Sequence, residues 1–323
     1  MNKPKIVVTR HWPAKVEEKL SDIFDTTLNV NDRPMSADEL QSALQSADAV
    51  LPTVSDKLTA DVLGVRPLRA KILGSYGVGF NHIDLNAAKC AGLTVTNTPE
   101  VLTDCTADLA MTLLLTLARK VGEGERHLRS GNWSGWRPTH MMGTRVTRKI
   151  LGLVGMGRIA RAVAQRAFFG FGMEILFYDP VPPPSEALGD IPAQFCSSLE
   201  QVMSRSDFVS VHCPGSKETY HLIDRSAIDT MQPHAFLINT ARGDVIDENA
   251  LVEALVNRKI AGAALDVHER EPNVSDALLT MENVVLLPHL GSATLETRED
   301  MGMRVIHNLE AFFSGSEPPD III

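Results

Sequence analysis

At 323 residues the chain exceeds one core of ordinary size and falls short of three, so two domains or one large α/β domain are the options. With 44% hydrophobic and 22% charged residues it can bury a core, which excludes a fully disordered chain. Thirty-one basic against 40 acidic residues leave a formal charge of −9, an acidic balance that argues against nucleic acid as a partner. Cys90, Cys105, Cys196 and Cys213 are dispersed without a CxxC pair, so the sequence offers neither a zinc cluster nor a disulfide framework. That usage fits a reducing cytoplasm and predicts four small buried side chains, with no metal site. Met1 to Arg10 lacks the apolar run of a secretion signal. The apolar stretch Leu109 to Ala118 is about half the length a membrane span requires and is expected to be a buried helix.

In chain order, short β-branched or apolar runs alternate with segments of helical period, the pattern of parallel strands joined by crossover helices. Strands are predicted at Ile6 to Thr9, Thr26 to Val30, Ala49 to Leu51, Lys71 to Gly74 and Thr94 to Asn97, giving a small βα domain. Thr103 to Lys120 follows as a long helix whose leucines spread over more than one face. Gly122 to Lys149 has no clear period and reads as an excursion. Alternation then restarts with six strands, at Ile150 to Val154, Glu174 to Tyr178, Phe208 to Val211, Ala235 to Asn239, Gly262 to Val267 and Val284 to Leu287. The helical segment Thr294 to Phe313 is expected to return to the first domain. The expected division is 1–100 with 291–323, and 101–290.

Gly155-Met156-Gly157-Arg158-Ile159-Ala160 follows a strand and opens a helix. In that context Gly155 supplies the tight turn, Gly157 lets the backbone approach a pyrophosphate, and the small Ala160 allows close helix packing. The free N–H groups and the positive end of the helix N-terminus suit phosphates, and Met156, Arg158 and Ile159 are candidate cofactor-binding residues. A lone glycine pattern is equally an ordinary βα turn, and the next strand decides. It ends on Asp179, 22 positions after Gly157, close to the roughly 20 at which a carboxylate meets the adenosine ribose. The implied cofactor is NAD, because Asp179 repels a 2′-phosphate and Val181 to Pro184 offer no Arg or Lys to hold one.

Polar residues stand just past successive strands: Asp179, His212, Asn239 to Arg242, Asp266 and His289. In an open parallel sheet the carboxyl ends of the strands border the ligand crevice, so these positions converge. His212 is either a cofactor contact or an ordinary structural histidine.

Taken together, Tyr76 to Asp84, Thr106 to Ala110, Leu151 to Ala160, Asn239 to Gly243, Ala264 to Pro272 and Pro288 to Thr294 resemble the D-isomer-specific 2-hydroxyacid dehydrogenase family, and most its glyoxylate/hydroxypyruvate reductase branch. The departures are Ala160 for a third glycine and Arg148-Lys149-Ile150 for a more usual Gly-Lys-Thr. The resemblance implies two Rossmann-like or flavodoxin-like βα domains with parallel sheets and an active site in the cleft between them. It implies NADH-dependent reduction of glyoxylate and hydroxypyruvate to glycolate and D-glycerate by Arg242, Glu271 and His289. A ketone gaining hydride needs a proton donor within about 3 Å of its oxygen, and His289 fills that role. Glu271 would hold the other ring nitrogen, fixing the tautomer and stabilising the ring's positive charge. Arg242 would present its planar fork to the substrate carboxylate, which the backbone N–H groups of Val78 and Gly79 also grip.

By the same resemblance Thr106, Pro214, Thr219, Thr240, Ala241, Asp266, His289 and Gly291 join the cofactor site, with Thr106 on the phosphates, Pro214 at the adenine and Asp266 on the carboxamide. His268, Glu269 and Arg270 are expected as solvated loop residues. Trp136 is a large indole in the irregular segment. It either faces a partner in a homodimer, with 101–148 as the dimerisation segment and the indole limiting substrate size, or closes its own subunit's core. Two further readings stay open: a dehydrogenase for another acid, such as D-lactate, a larger acid or, less favoured, D-3-phosphoglycerate, and a dinucleotide-gated binding protein of the corepressor type.

Overall fold

The computed structural model describes residues 3–323. They fall into two compact units, one running up to Leu102 and resuming at Ser292–Ile323, the other Thr103–Gly291.

The first unit alternates strand and helix: β1 (Lys5–Val8), α1 (Ala14–Ile23), β2 (Asp25–Thr27), α2 (Ala37–Ser46), β3 (Ala49–Leu51), α3 (Ala60–Leu63), β4 (Ile72–Gly74), α4 (Leu85–Cys90) and β5 (Thr94–Thr96). All pairings are parallel in the order β2-β1-β3-β4-β5, the flavodoxin-like arrangement. Every residue of β3 and β4 is buried, as expected of strands covered on both faces. The edge strand β2 ends at Thr27, three residues short of the apolar run, because the chain turns there and the Asn29 side chain donates to the carbonyls of Thr9 and Arg33.

The second unit opens with α5 (Thr103–Ala118), α6 (Val121–Arg129), β6 (Ile150–Val154), α7 (Arg158–Phe171) and β7 (Glu174–Tyr178). It continues with β8 (Gln194–Phe195), α8 (Leu199–Arg205), β9 (Phe208–Val211), α9 (Arg225–Asp229), β10 (Phe236–Asn239), α10 (Glu248–Val256), β11 (Gly262–Leu265), α11 (Asp276–Leu279) and β12 (Val284–Leu286). Its sheet is again parallel, in the order β12-β11-β10-β9-β6-β7-β8, so the chain leaves β6 first to one side and then to the other. This is the dinucleotide-binding topology, with its switch point between β6 and β9. The α5 helix buries Ala107, Ala110, Met111, Leu113, Leu114 and Leu117 against α7 and β10 to β12, so its apolar surface is wide because it has several neighbours.

Two expectations fail here. The sheet has seven strands, since the two exposed residues of β8 add an edge that carries no apolar period. The segment after α5 is not wholly irregular: Val121–Arg129 is helical, with no buried residue and thus no stripe to betray it. The cysteines also differ from expectation: only Cys196 is buried, Cys105 and Cys213 are half-buried, and Cys90 at the end of α4 is exposed.

The last helix, α12 (Leu295–Phe313), packs on α1 and β4 of the first unit through Met301, Val305, Ile306 and Leu309. Behind it Arg304 grips Asp320 with two hydrogen bonds of 2.6 and 2.7 Å, and Asn308 donates to Asp320 and accepts from its N–H. Among the described residues no helix is long and apolar enough to cross a membrane, and no group of three or more His, Cys, Asp or Glu is placed to hold a metal ion.

Candidate active site

The glycine turn between β6 and α7 is shaped by two residues without side chains. Gly155 has φ +91°, and a Cβ there would lie 2.9 Å from the Cys213 nitrogen, so neither the backbone conformation nor the space admits another residue. At Gly157 a Cβ would meet nothing within 4 Å, which leaves the backbone open to a ligand. Gly157 caps α7 with no side-chain acceptor, so the start of the helix carries no cap from the chain itself. Asp179, at the end of β7, accepts from the Met156 N–H and the Val181 N–H at 2.8 and 2.9 Å. Its carboxylate is thereby fixed beside the glycine turn, with lone pairs to spare for ribose hydroxyls.

Past β9, His212 shares a 2.9 Å hydrogen bond with Ser210, and burial pushes the imidazole down to about 4, so it is neutral near pH 7. Thr219 donates to the Pro214 carbonyl and accepts from the Ser216 N–H, closing the 214–219 turn. Thr106, on the first turns of α5, donates to the Gly291 carbonyl at 2.9 Å. Ala241 donates its N–H to the Asn239 carboxamide, whose own amine donates to the Arg242 carbonyl, a brace that sets the loop after β10. Buried polar atoms in this region, among them Thr240 Oγ1, Asp266 Oδ2 and His268 Nδ1, have no hydrogen-bond partner among the described residues. Buried polar atoms are seldom left so unless a ligand or water meets them. Open glycine, uncapped helix start, fixed carboxylate and unpartnered polar atoms together fit a pyridine dinucleotide.

The three residues expected to react lie at the same edge of the sheet. His289 Nδ1 donates to Glu271 Oε2 at 2.9 Å, and Glu271 Oε1 accepts from the His268 N–H. Burial alone would raise the Glu271 carboxyl, but the hydrogen bond and charge of His289, with His268, outweigh it and hold the group below its usual value. His289 sits in the left-handed region at φ 57° and is pinned by its N–H on the Asp266 carbonyl, while the Leu290 N–H takes Asp266 Oδ1. Burial raises the Asp266 carboxyl, against the opposing pull of the Leu290 N–H, His289 and the Gly291 N–H. Arg242 donates from Nη1 to the Ala241 carbonyl, and burial pushes its guanidinium down from the ordinary value against the attraction of Glu271 and Asp244. A charge so desolvated gains from an incoming carboxylate.

Three residues of this region escaped the sequence reading. Gly243 carries no chemistry, yet a Cβ there would lie 2.0 Å from the His268 carbonyl carbon and 2.4 Å from the Glu269 nitrogen, so only glycine lets the Arg242 loop pass the Glu271 loop. His268 is not solvated, being 7% exposed with Nε2 3.0 Å from the Leu287 carbonyl. Glu269 is likewise held inside, its carboxylate accepting from the Glu248 N–H and its N–H donating to Glu248. Arg270 is exposed, as expected. No periodicity signals either departure, since both lie in a loop.

In the first unit, Val78 and Gly79 follow β4. The Val78 carbonyl accepts from Asn97, while neither residue's N–H donates to another described residue. Trp136 is 81% exposed, which rules out the reading in which it closes its own subunit's core.

The topology and the polar sheet edge define a dinucleotide-dependent oxidoreductase of the doubly wound type. Residues 111–291 match the model of the D-isomer specific 2-hydroxyacid dehydrogenase NAD binding domain, and the chain belongs to that family. It is 42% identical over 324 residues to the glyoxylate reductase of Thermococcus litoralis, covering 99% of this chain and 97% of the relative. It is also 42% identical to that of Korarchaeum cryptofilum, covering 99% and 96%. Among solved structures, an NADPH-dependent glyoxylate/hydroxypyruvate reductase from Sinorhizobium meliloti, in complex with NADP and malonate, superposes with a TM-score of 0.88 at 34% identity, covering 99% of this chain and 97% of that one. A D-isomer specific 2-hydroxyacid dehydrogenase from Polaromonas superposes with a TM-score of 0.92 at 34% identity, covering 99% and 100%.

Proposed function

We propose that the protein is an NADH-dependent reductase of small 2-oxo acids, converting glyoxylate and hydroxypyruvate to glycolate and D-glycerate. The observation that carries this reading is the 2.9 Å pairing of His289 with Glu271 in the unit that also carries the glycine turn and Arg242. Substrate choice leans on the full-length likeness to glyoxylate reductases.

Bound NADH supplies a hydride to the C2 carbonyl carbon. The chain's own part is to manage charge. Arg242 holds the substrate carboxylate and the oxygen that becomes negative, and the open N–H groups of Val78 and Gly79 are the proposed further donors to the carboxylate. His289, with Nδ1–H committed to Glu271, presents Nε2 and gives its proton to the carbonyl oxygen; Glu271 stays ionised and balances the imidazolium. Gly155 to Ile159, Thr106, Pro214, Thr219, Thr240, Ala241 and Gly291 are assigned to the dinucleotide, with neutral His212 beside it and Asp266 toward the carboxamide. Asp179 favours NADH, since a 2′-phosphate would meet its negative charge. The NADPH-dependent relative makes this a point to measure.

The segment after α5 is the proposed face for a second copy of the chain. Val121, Leu128, Trp133, Trp136 and Met142 are all exposed there, the residue types that subunit interfaces bury, and Trp136 is assigned the task of limiting substrate size in the neighbouring subunit. The reading places the enzyme in the cytoplasm.

The test is a panel of 2-oxo acids with NADH and NADPH. Glyoxylate or hydroxypyruvate should lead with NADH, and His289→Asn should lower kcat by about 10²–10⁴-fold, the usual worth of a positioned proton donor. Asp179→Ala should narrow the preference for NADH by about tenfold, equivalent to about 1.4 kcal/mol. Tight NADH binding without turnover of any acid would instead favour a dinucleotide-gated binding protein.

A further inference from the structure

We propose that His268 is a positioning residue that couples Arg242, Glu271 and His289 by touching each of the three loops that carry them. The inference rests on the catalytic reading above. The backbone N–H of His268 donates to Glu271 Oε1 at 3.1 Å, leaving Oε2 to face His289. The ring Nε2 lies 3.0 Å from the carbonyl of Leu287, two residues before His289. A carbonyl only accepts, so Nε2 carries hydrogen and donates, tying the loop after β11 to the end of β12. On the third side the backbone carbonyl of His268 lies against Gly243, next to Arg242, at a distance that no Cβ could share.

The ring is costly to keep for packing alone. Its Nδ1 is buried and has no hydrogen-bond partner among the described residues, a penalty that an apolar ring of similar size would avoid. What the imidazole supplies and a phenyl ring cannot is the N–H to Leu287. His268 thereby sets the interval between the carboxylate and the proton donor. It does not touch the reacting atoms, and its effect passes through Glu271 and His289. Facing these groups are Arg242, Asp244 and Asp266 from the neighbouring loops.

The experiment compares full-length His268→Phe, His268→Asn and His268→Gln in glyoxylate reduction with NADH, alongside His289→Asn. Phe removes the donor, Asn is too short to reach Leu287, and Gln restores an N–H at similar reach. Phe and Asn should lower kcat by about ten- to a hundredfold with the KM for NADH changed by less than about twofold, the signature of a misplaced rather than an absent catalytic group. Gln should recover kcat to within about threefold of the parent. If Phe does not yield folded protein, Asn against Gln decides the matter. Parent-like kcat in Phe or Asn, or a Gln variant as slow as either, overturns the role of His268 while the collapse of His289→Asn leaves the catalytic reading standing. Turnover that survives His289→Asn removes both.

Discussion

Two buried aspartates, one in each unit, separate structural from functional polarity. Asp320 in the first unit is 7% exposed and fully engaged: Arg304 clasps both oxygens, Asn308 donates to one of them, and its N–H donates to Asn308 Oδ1. Asp266 in the second unit is fully buried, and Oδ1 accepts from the Leu290 N–H, while Oδ2 has no hydrogen-bond partner among the described residues and burial raises the carboxyl against the pull of the Leu290 N–H, His289 and the Gly291 N–H. The first group ties α12 to the residues that follow it. The second is a group whose cost is met only when something else arrives. Burial is common to both aspartates; what separates them is the unfilled hydrogen-bonding capacity of Asp266.

Three substitutions can break that contrast. Asp320→Ala should cost about 3–5 kcal/mol of stability in denaturant titration, because Arg304 and Asn308 lose a shared partner, with turnover per folded molecule unchanged. A smaller loss, or a catalytic defect of similar size, would remove the distinction. His212 supplies the next test. Its pKa in the folded protein, about 4, lies below the ordinary 6.5, so the unfolded chain binds the proton more readily and stability falls as pH drops from about 6.5 to 4. The full loss is about 3–4 kcal/mol, and His212→Asn should flatten that window in pH-dependent melting. The smallest effect on stability is expected of Asp266→Asn. A raised carboxyl destabilises the fold once pH exceeds its unfolded value, so the neutral amide should leave the melting temperature at neutral pH equal or higher, while NADH affinity falls in a fluorescence titration. Loss of stability there would class Asp266 with Asp320.

Much of the architecture was legible because parallel strands buried on both faces are short apolar runs, as in Ala49–Leu51 and Phe236–Asn239. The glycine turn was legible for a different reason: the strand before Gly155 and the helix after Gly157 are both strongly patterned. What escaped shares one physical trait. Strand β8 and helix α6 bury nothing, so hydrophobic period cannot report them. His268 and Glu269 have the composition of a solvated loop, and only the path of the chain, bringing Glu248 and Leu287 alongside, takes them out of water. The polar residues at the strand ends could be gathered from order alone, whereas the 2.9 Å link between His289 and Glu271 depends on a left-handed residue that no propensity would place there.

The close pass at Gly243 bears on how the substrate range of such a protein could be altered. Because main chain presses on main chain at that point, the approach of the Arg242 loop to the His268–Glu269 segment is gauged by atoms common to every amino acid. Engineers can therefore exchange side chains that line the pocket without disturbing that one contact, so long as the missing methyl stays missing.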